Sequence, residues 1–166
     1  MTFTVRDLVQ IALVAALYAI FTALPPFNLI SYGPYQFRLS EMLNFLGFYK
    51  VKYIIGLTLG CMIANLYSYD LLDVFVGGGQ TLIFVSLGVW FFKKYQQQTI
   101  LGYNKAFFFF SFFFAASMFV IAAELAIVSH APFFITWFTT AVGELASLLI
   151  GGYLINLLGQ RINLTQ

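Results

Sequence analysis

The sequence predicts an all-α integral membrane protein, and three observations carry that prediction. Of its 166 residues 61% are hydrophobic and only 8% charged, where a water-soluble domain carries roughly 25% charged residues. Mean hydropathy is +0.91, so too little polar surface exists to cover a soluble globule. Apolar stretches approach or exceed the roughly 20 residues that span a bilayer, and short loops holding most of the charge separate them.

The first segment covers residues 5–24 and stops at Pro25-Pro26. It is too long for the core of a cleavable signal peptide, and "TALPPF" offers no small-residue cleavage site. A 13-residue connection, 25–37, leads to a short helix expected over 39–48. Further segments are expected at 53–67, 72–92, 106–128 and 134–158, making six with the second one short. No repeat, linker or second domain is visible, so residues 1–166 read as one transmembrane domain.

Basic residues set the orientation. With both termini cytoplasmic, Arg6, Lys50, Lys52, Lys93, Lys94, Lys105 and Arg161 share the inner side, and Arg38 alone of the 8 does not. The outer loops then hold Asp70, Asp73 and His130, the last of which reads as a solvated loop residue. Cys61 is the sole cysteine, which rules out an intramolecular disulfide and leaves a small packing residue.

The short helix has a consequence for function. Arg38 precedes Lys50 by 12 residues, so at about 1.5 Å per residue it rises roughly 18 Å above the inner interface, near mid-membrane. The irregular chain before it occupies the outer half. Backbone of that kind is tolerated at such depth only where protein buries it or it lines a cavity. A cavity open to the outside follows, with the loop 25–38 folded into it.

Other polar residues converge on that half. Helical spacing puts Phe37, Glu41, Asn44 and Phe48 on one face, Asp73, Gly77 and Gln80 on another, and Trp137, Ala141 and Glu144 on a third. Glu124 and Asn65 lie near the outer ends of their segments. Ionisable residues inside spans are expensive and usually functional. Plainer roles remain open for several: an internal Arg38–Glu41 ion pair holding the loop, a hydrated Glu124, and Asn65 as a cap or an interhelical bond. The "FFFFSFFF" run, 107–114, reads as lipid-facing bulk.

Absent motifs exclude several chemistries. No Gly-rich phosphate loop supports autonomous ATP hydrolysis, no His/Cys cluster a metal, and no GxSxG elbow a serine nucleophile. An intramembrane enzyme built on Glu41, Glu124 and Glu144, or a stand-alone channel subunit, remains as a remote reading. In the first segment Ala12 and Ala16, and Ala15 and Ala19, stand four apart, giving small-residue rows on which another helix can pack, either within the bundle or from a partner.

"YGPYQFRLSEMLNFLGFY", then "GLTLGCMIANLYS" and Asp73 in "DVF", resembles the QueT family of queuosine-precursor transporters, which are substrate-binding S components of energy-coupling factor (ECF) importers. The likeness implies a six-helix S-component fold in the cell membrane that captures a small ligand from outside. It implies a transmembrane T component and two cytoplasmic ATPases as partners, with Ala12, Ala15, Ala16 and Ala19 matching the helix face that contacts the T component. Release by toppling within the membrane is likewise implied. No cofactor, metal or nucleic acid is expected. The implied ligand is a 7-deazaguanine such as preQ1, with another vitamin such as cobalamin, or a nucleobase, as the alternative. For that ligand Glu144 or Glu41 would take the guanine edge and Asp73 or Glu124 the ammonium. Arg38 or Gln80 would donate to the ring carbonyl, Tyr32, Tyr35 or Trp137 would stack, and Asn65 would add a polar contact.

Overall fold

A computed structural model of the chain describes residues 3–33, 35–68, 71–100, 102–162 and 164; Asp70 lies outside them. The chain is helical apart from one small hairpin. Helix α1 spans Val5–Ala23, α2 Asn28–Ser31, α3 Leu46–Tyr49 after a 3-10 segment Leu39–Phe45, α4 Tyr53–Asn65 and α5 Leu72–Phe92. Strands β1 (Thr99–Ile100) and β2 (Tyr103–Asn104) pair antiparallel before α6 (Lys105–Ala116), α7 (Phe119–Val128) and α8 (Phe133–Arg161).

Four of these stretches are long and apolar enough to cross a membrane: Val5–Ala23, Leu72–Tyr95, Lys105–Val128 and Phe133–Arg161. Helix α4, at 13 residues, is shorter.

Local chemistry explains the helix starts. Thr4 and Asp7 form a reciprocal capping box on α1, and the Asn104 side chain accepts from the backbone N–H of Ala106 and Phe107 to start α6. Asp7 also accepts from Lys52 Nζ in an ion pair that ties the start of α1 to the α3–α4 turn. Tyr49, Gln96, Asn104 and Asn156 surround one small cavity, bringing the hairpin and the end of α8 to that same end of the bundle.

Helix α1 packs along α4 because two glycines open the contact. A Cβ on Gly60 would stand 2.6 Å from Tyr18 Cβ and 2.8 Å from the Ala15 carbonyl; one on Gly56 would stand 2.6 Å from the Ile11 carbonyl. Gly60→Ala is therefore expected to lower stability by about 1–3 kcal/mol, read as a fall in unfolding temperature in detergent. Of the alanine rows, Ala15 is buried on this interface and Ala19 half-buried, while Ala12 and Ala16 remain exposed. The rows thus point in different directions.

Three expectations need correction. The aromatic run is not lipid-facing bulk: Phe107, Phe110 and Phe114 lie in the core with Phe45 and Phe48, the Phe45 and Phe107 rings 4.5 Å apart, while Phe112 is exposed. Positions 107, 110 and 114 share a helix face, and that face meets the short helical segment. The segment expected at 106–128 is two helices. Ser117 Oγ, at the break, donates to the Phe114 carbonyl (2.6 Å) and accepts from Gln80 Nε2 (2.9 Å), the kind of serine back-bonding that bends helices. The helix expected over 39–48 begins as seven residues of 3-10 helix, whose rise of about 2.0 Å per residue carries Arg38 roughly 3 Å further from the lysine-rich turn than an α-helix would.

Candidate functional site

At the end of the bundle away from the Lys52–Asp7 pair lies an open cavity of about 470 Å³, within the range of small-molecule sites. Tyr32, Gly33, Gln36 and Arg38 of the 25–38 loop form one wall. Ser68 and Asp73, flanking the α4–α5 turn, form the second, and Leu125 of α7 with Pro132, Ile135, Thr136, Thr139 and Thr140 on and before α8 form the third.

The loop reaches this position because α8 leaves room for it. Gly143 meets the Tyr35 main chain so closely that a Cβ there would fall 1.7 Å from the Tyr35 carbonyl oxygen. The Tyr32 hydroxyl pins the other side by donating to the Ala64 carbonyl (2.7 Å). Arg38, in extended backbone, is only 9% exposed and sits 6.0 Å from the Tyr32 ring centroid.

Beneath Arg38 lie two buried carboxylates. Glu41 accepts from the Tyr18 hydroxyl and from Asn44 Nδ2. The 3-10 path explains the second bond, since residues i and i+3 eclipse there. Glu144 of α8 is 1% exposed, and its Oε1 accepts no hydrogen bond. Arg38 lies within electrostatic reach of both, yet among the described residues it makes no ion pair with either. The direct contacts to Glu41 thus come from Tyr18 and Asn44, not from Arg38. Among the described residues no cluster of His, Cys, Asp and Glu is arranged as metal ligands.

The sequence profile of the QueT transporter family matches residues 8–160. The chain belongs to the QueT transporter family. Over 162 residues it is 52% identical to the queuosine precursor transporter QueT of Lactococcus lactis subsp. cremoris (strain MG1363), covering 96% of each chain. No solved structure is significantly similar to it. It is therefore a member of a transporter family and not an enzyme, and four helices among the described residues that are long and apolar enough to span a bilayer support a membrane location.

Of the residues expected at the site of this QueT-family chain, Arg38 and Asp73 line the cavity, with Tyr32 as an aromatic wall. Glu41 and Glu144 lie buried outside its lining. Asn65 Nδ2 donates to the Asp73 carbonyl at 2.8 Å, holding the start of α5 in place. Gln80 does not face the cavity, because its amide is committed to Ser117 Oγ and Met118 Sδ between α5 and α7. Trp137 is likewise engaged elsewhere, donating to the Ala116 carbonyl (3.0 Å) beside Phe119 and Phe133. Tyr35 is 60% exposed and contributes its carbonyl to the Gly143 contact, so neither it nor Trp137 stacks in the cavity. Glu124 is buried on α7, beside the lining residue Leu125.

The sequence reading missed Gln36 and the α8 threonines. Thr136, Thr139 and Thr140 follow a helical i, i+3, i+4 spacing that carries a signal of a polar stripe. Thr139 and Thr140 hydroxyls donate to the Thr136 carbonyl at 3.1 and 2.8 Å; with their protons spent there, they offer lone pairs to a ligand. The cavity accordingly has a cationic donor on its loop wall and acceptors, Asp73 and threonine oxygens, on the facing walls.

Asn65 also depends on Gly77, where a Cβ would stand 2.3 Å from Asn65 Nδ2. Gly77→Ala is expected to break the Asn65–Asp73 bond and weaken ligand binding by about two- to tenfold, the net worth of one such bond; calorimetry with preQ1 measures it.

Proposed function

We propose that this QueT-family chain is the membrane-embedded S component of an ECF-type importer, and that it captures preQ1 or a closely similar 7-deazaguanine from outside. In this reading residues 1–166 act as one substrate-binding domain with six membrane segments, both termini in the cytoplasm, and the Arg38–Asp73 cavity facing outward. Ligand is released inward when the chain works with a T component and two ATPases.

One observation carries the ligand class: the lining of a single cavity includes both Arg38, from its loop wall, and Asp73, from the start of α5. That polarity complements a ring carbonyl at one end of a bicycle and an aminomethyl cation at the other. The name of the lactococcal relative, a queuosine precursor transporter, agrees with it. Two further features support the rest. The Lys52 and Asp7 end, rich in basic residues, lies opposite the cavity, as cytoplasmic positive charge requires. Exposed Ala12 and Ala16 leave a smooth strip of α1 for a partner helix.

The test is reconstitution. The chain is co-expressed with T and ATPase components, purified and placed in vesicles, and uptake of labelled preQ1 is followed with ATP supplied on the ATPase side. ATP-dependent accumulation that disappears when the T component is omitted is expected; uptake by the chain alone would overturn the S-component reading. Asp73→Asn is expected to weaken preQ1 binding by at least about tenfold, the value of a hydrogen bond to a charged group, while leaving preQ0, which carries a nitrile in place of the ammonium, nearly unchanged.

A further inference from the structure

Gln36 is the residue of the cavity loop whose conformation and chemistry ask most clearly for a ligand. Its φ is 45°, a left-handed conformation rare outside glycine and kept mainly where the surroundings enforce it, often at ligand clamps. Its N–H donates to the Gly33 carbonyl at 2.9 Å. The side chain lines the cavity, and its Oε1 is buried without a donor from the protein. Two residues on, Arg38 lines the same cavity with a buried Nε–H that finds no acceptor. An orphaned acceptor and an orphaned donor thus stand two residues apart on one wall. Buried polar groups are nearly always satisfied, so each such exception calls for a partner.

We propose that Gln36 and Arg38 form a fork that reads a heterocyclic lactam, Gln36 Oε1 accepting the ring N–H and Arg38 donating to the adjacent ring carbonyl. This rests on the reading above that the cavity takes a 7-deazaguanine, and it names the edge of that ligand which is recognised. An amino-type ring presents the reverse pattern, a bare ring nitrogen and an exocyclic NH₂. Turning the Gln36 amide would suit the ring nitrogen, but Arg38 has no acceptor mode, so its N–H would still face the NH₂. Selectivity for oxo over amino rings is therefore a joint property of the two residues. Glu41 and Glu144 lie buried outside the cavity lining and take no part in the fork.

The experiment compares preQ1 with its amino counterpart, 7-aminomethyl-7-deazaadenine, by calorimetry on the purified full chain and on Gln36→Met and Gln36→Gly. Methionine keeps the length and removes the acceptor. Glycine removes the side chain and accommodates positive φ, so the loop is not strained. Wild type is expected to prefer preQ1. Both variants are expected to lose about tenfold to a hundredfold in preQ1 affinity, the range for one unsatisfied buried group, with unfolding temperatures kept and the preference between the two rings narrowed. Wild-type affinity for preQ1 in both variants would overturn the fork and leave the 7-deazaguanine reading standing. Equal losses for the two rings would also overturn it, marking Gln36 as a general support of the loop. Failure of the wild type to bind any 7-deazaguanine would remove that reading and the fork together.

Discussion

Gly143→Ala is expected to abolish high-affinity ligand binding and to lower the unfolding temperature. The added Cβ would stand 1.7 Å from the Tyr35 carbonyl oxygen and 2.7 Å from its carbonyl carbon. Both partners are main chain, so no side-chain rotation relieves the overlap. Either α8 or the loop has to move, and the loop is the weaker element: it is held by the Tyr32–Ala64 bond and a few turn contacts, whereas α8 runs 29 residues against the core. Overpacking of this kind costs about 1–3 kcal/mol. The larger consequence is positional, because Gln36 and Arg38 lie one and three residues beyond Tyr35 and travel with it. Gly79→Ala is the matched control, since nothing lies within 4 Å of a Cβ there. It is expected to bind and melt like wild type. Calorimetry and thermal unfolding in detergent read both variants.

Arg38→Ala is expected to be the most damaging single change. The guanidinium is buried together with Glu41 and Glu144, two further ionisable side chains that are themselves buried. Removing one member of a buried charge group leaves the others uncompensated, at a cost of about 3–5 kcal/mol. Poor yield and a strongly reduced unfolding temperature follow. Two further variants separate stability from recognition. Arg38→Lys keeps a charge but not the planar fork, so it is expected to fold and yet lose preQ1 affinity by about tenfold or more. Arg38→Ala combined with Glu144→Gln removes a carboxylate along with its compensating cation; it is expected to recover part of the lost unfolding temperature and none of the binding. Glu144→Gln alone is expected to weaken binding by less than Arg38→Lys, since Glu144 acts on the ligand only through Arg38.

The membrane class was legible because it follows from coarse physics. Hydropathy marks the long helices, and a helix too short to span forces irregular backbone to mid-depth. Arg38 stood out for a similar reason, as a charge deep in an apolar chain. The sequence was less informative where tertiary partners decide direction. Gln80 has the right periodicity to face the site, but Ser117, exposed by the α6–α7 break, captures it. Trp137 is drawn to the Ala116 carbonyl freed at that break. Neither capture is visible in a reading that runs 106–128 as one helix. Glu41 and Glu144 stood out as costly groups, yet the Tyr18 hydroxyl that Glu41 accepts from lies 23 residues away in sequence. Gln36 was passed over because a polar residue in a loop carries no periodic signal; its positive φ and its unpartnered oxygen exist only in three dimensions. The phenylalanine run misleads because phenylalanine suits lipid and core alike, and only the facing Phe45 and Phe48 decide between them.

The most direct test of the central claim is a calorimetric titration of the detergent-purified chain with preQ1, preQ0, queuine, guanine and cobalamin. Saturable one-to-one binding of preQ1, tighter than the others and lost in Arg38→Lys, is the result this account predicts. A folded chain that ignores every 7-deazaguanine, or that binds cobalamin instead, would contradict it.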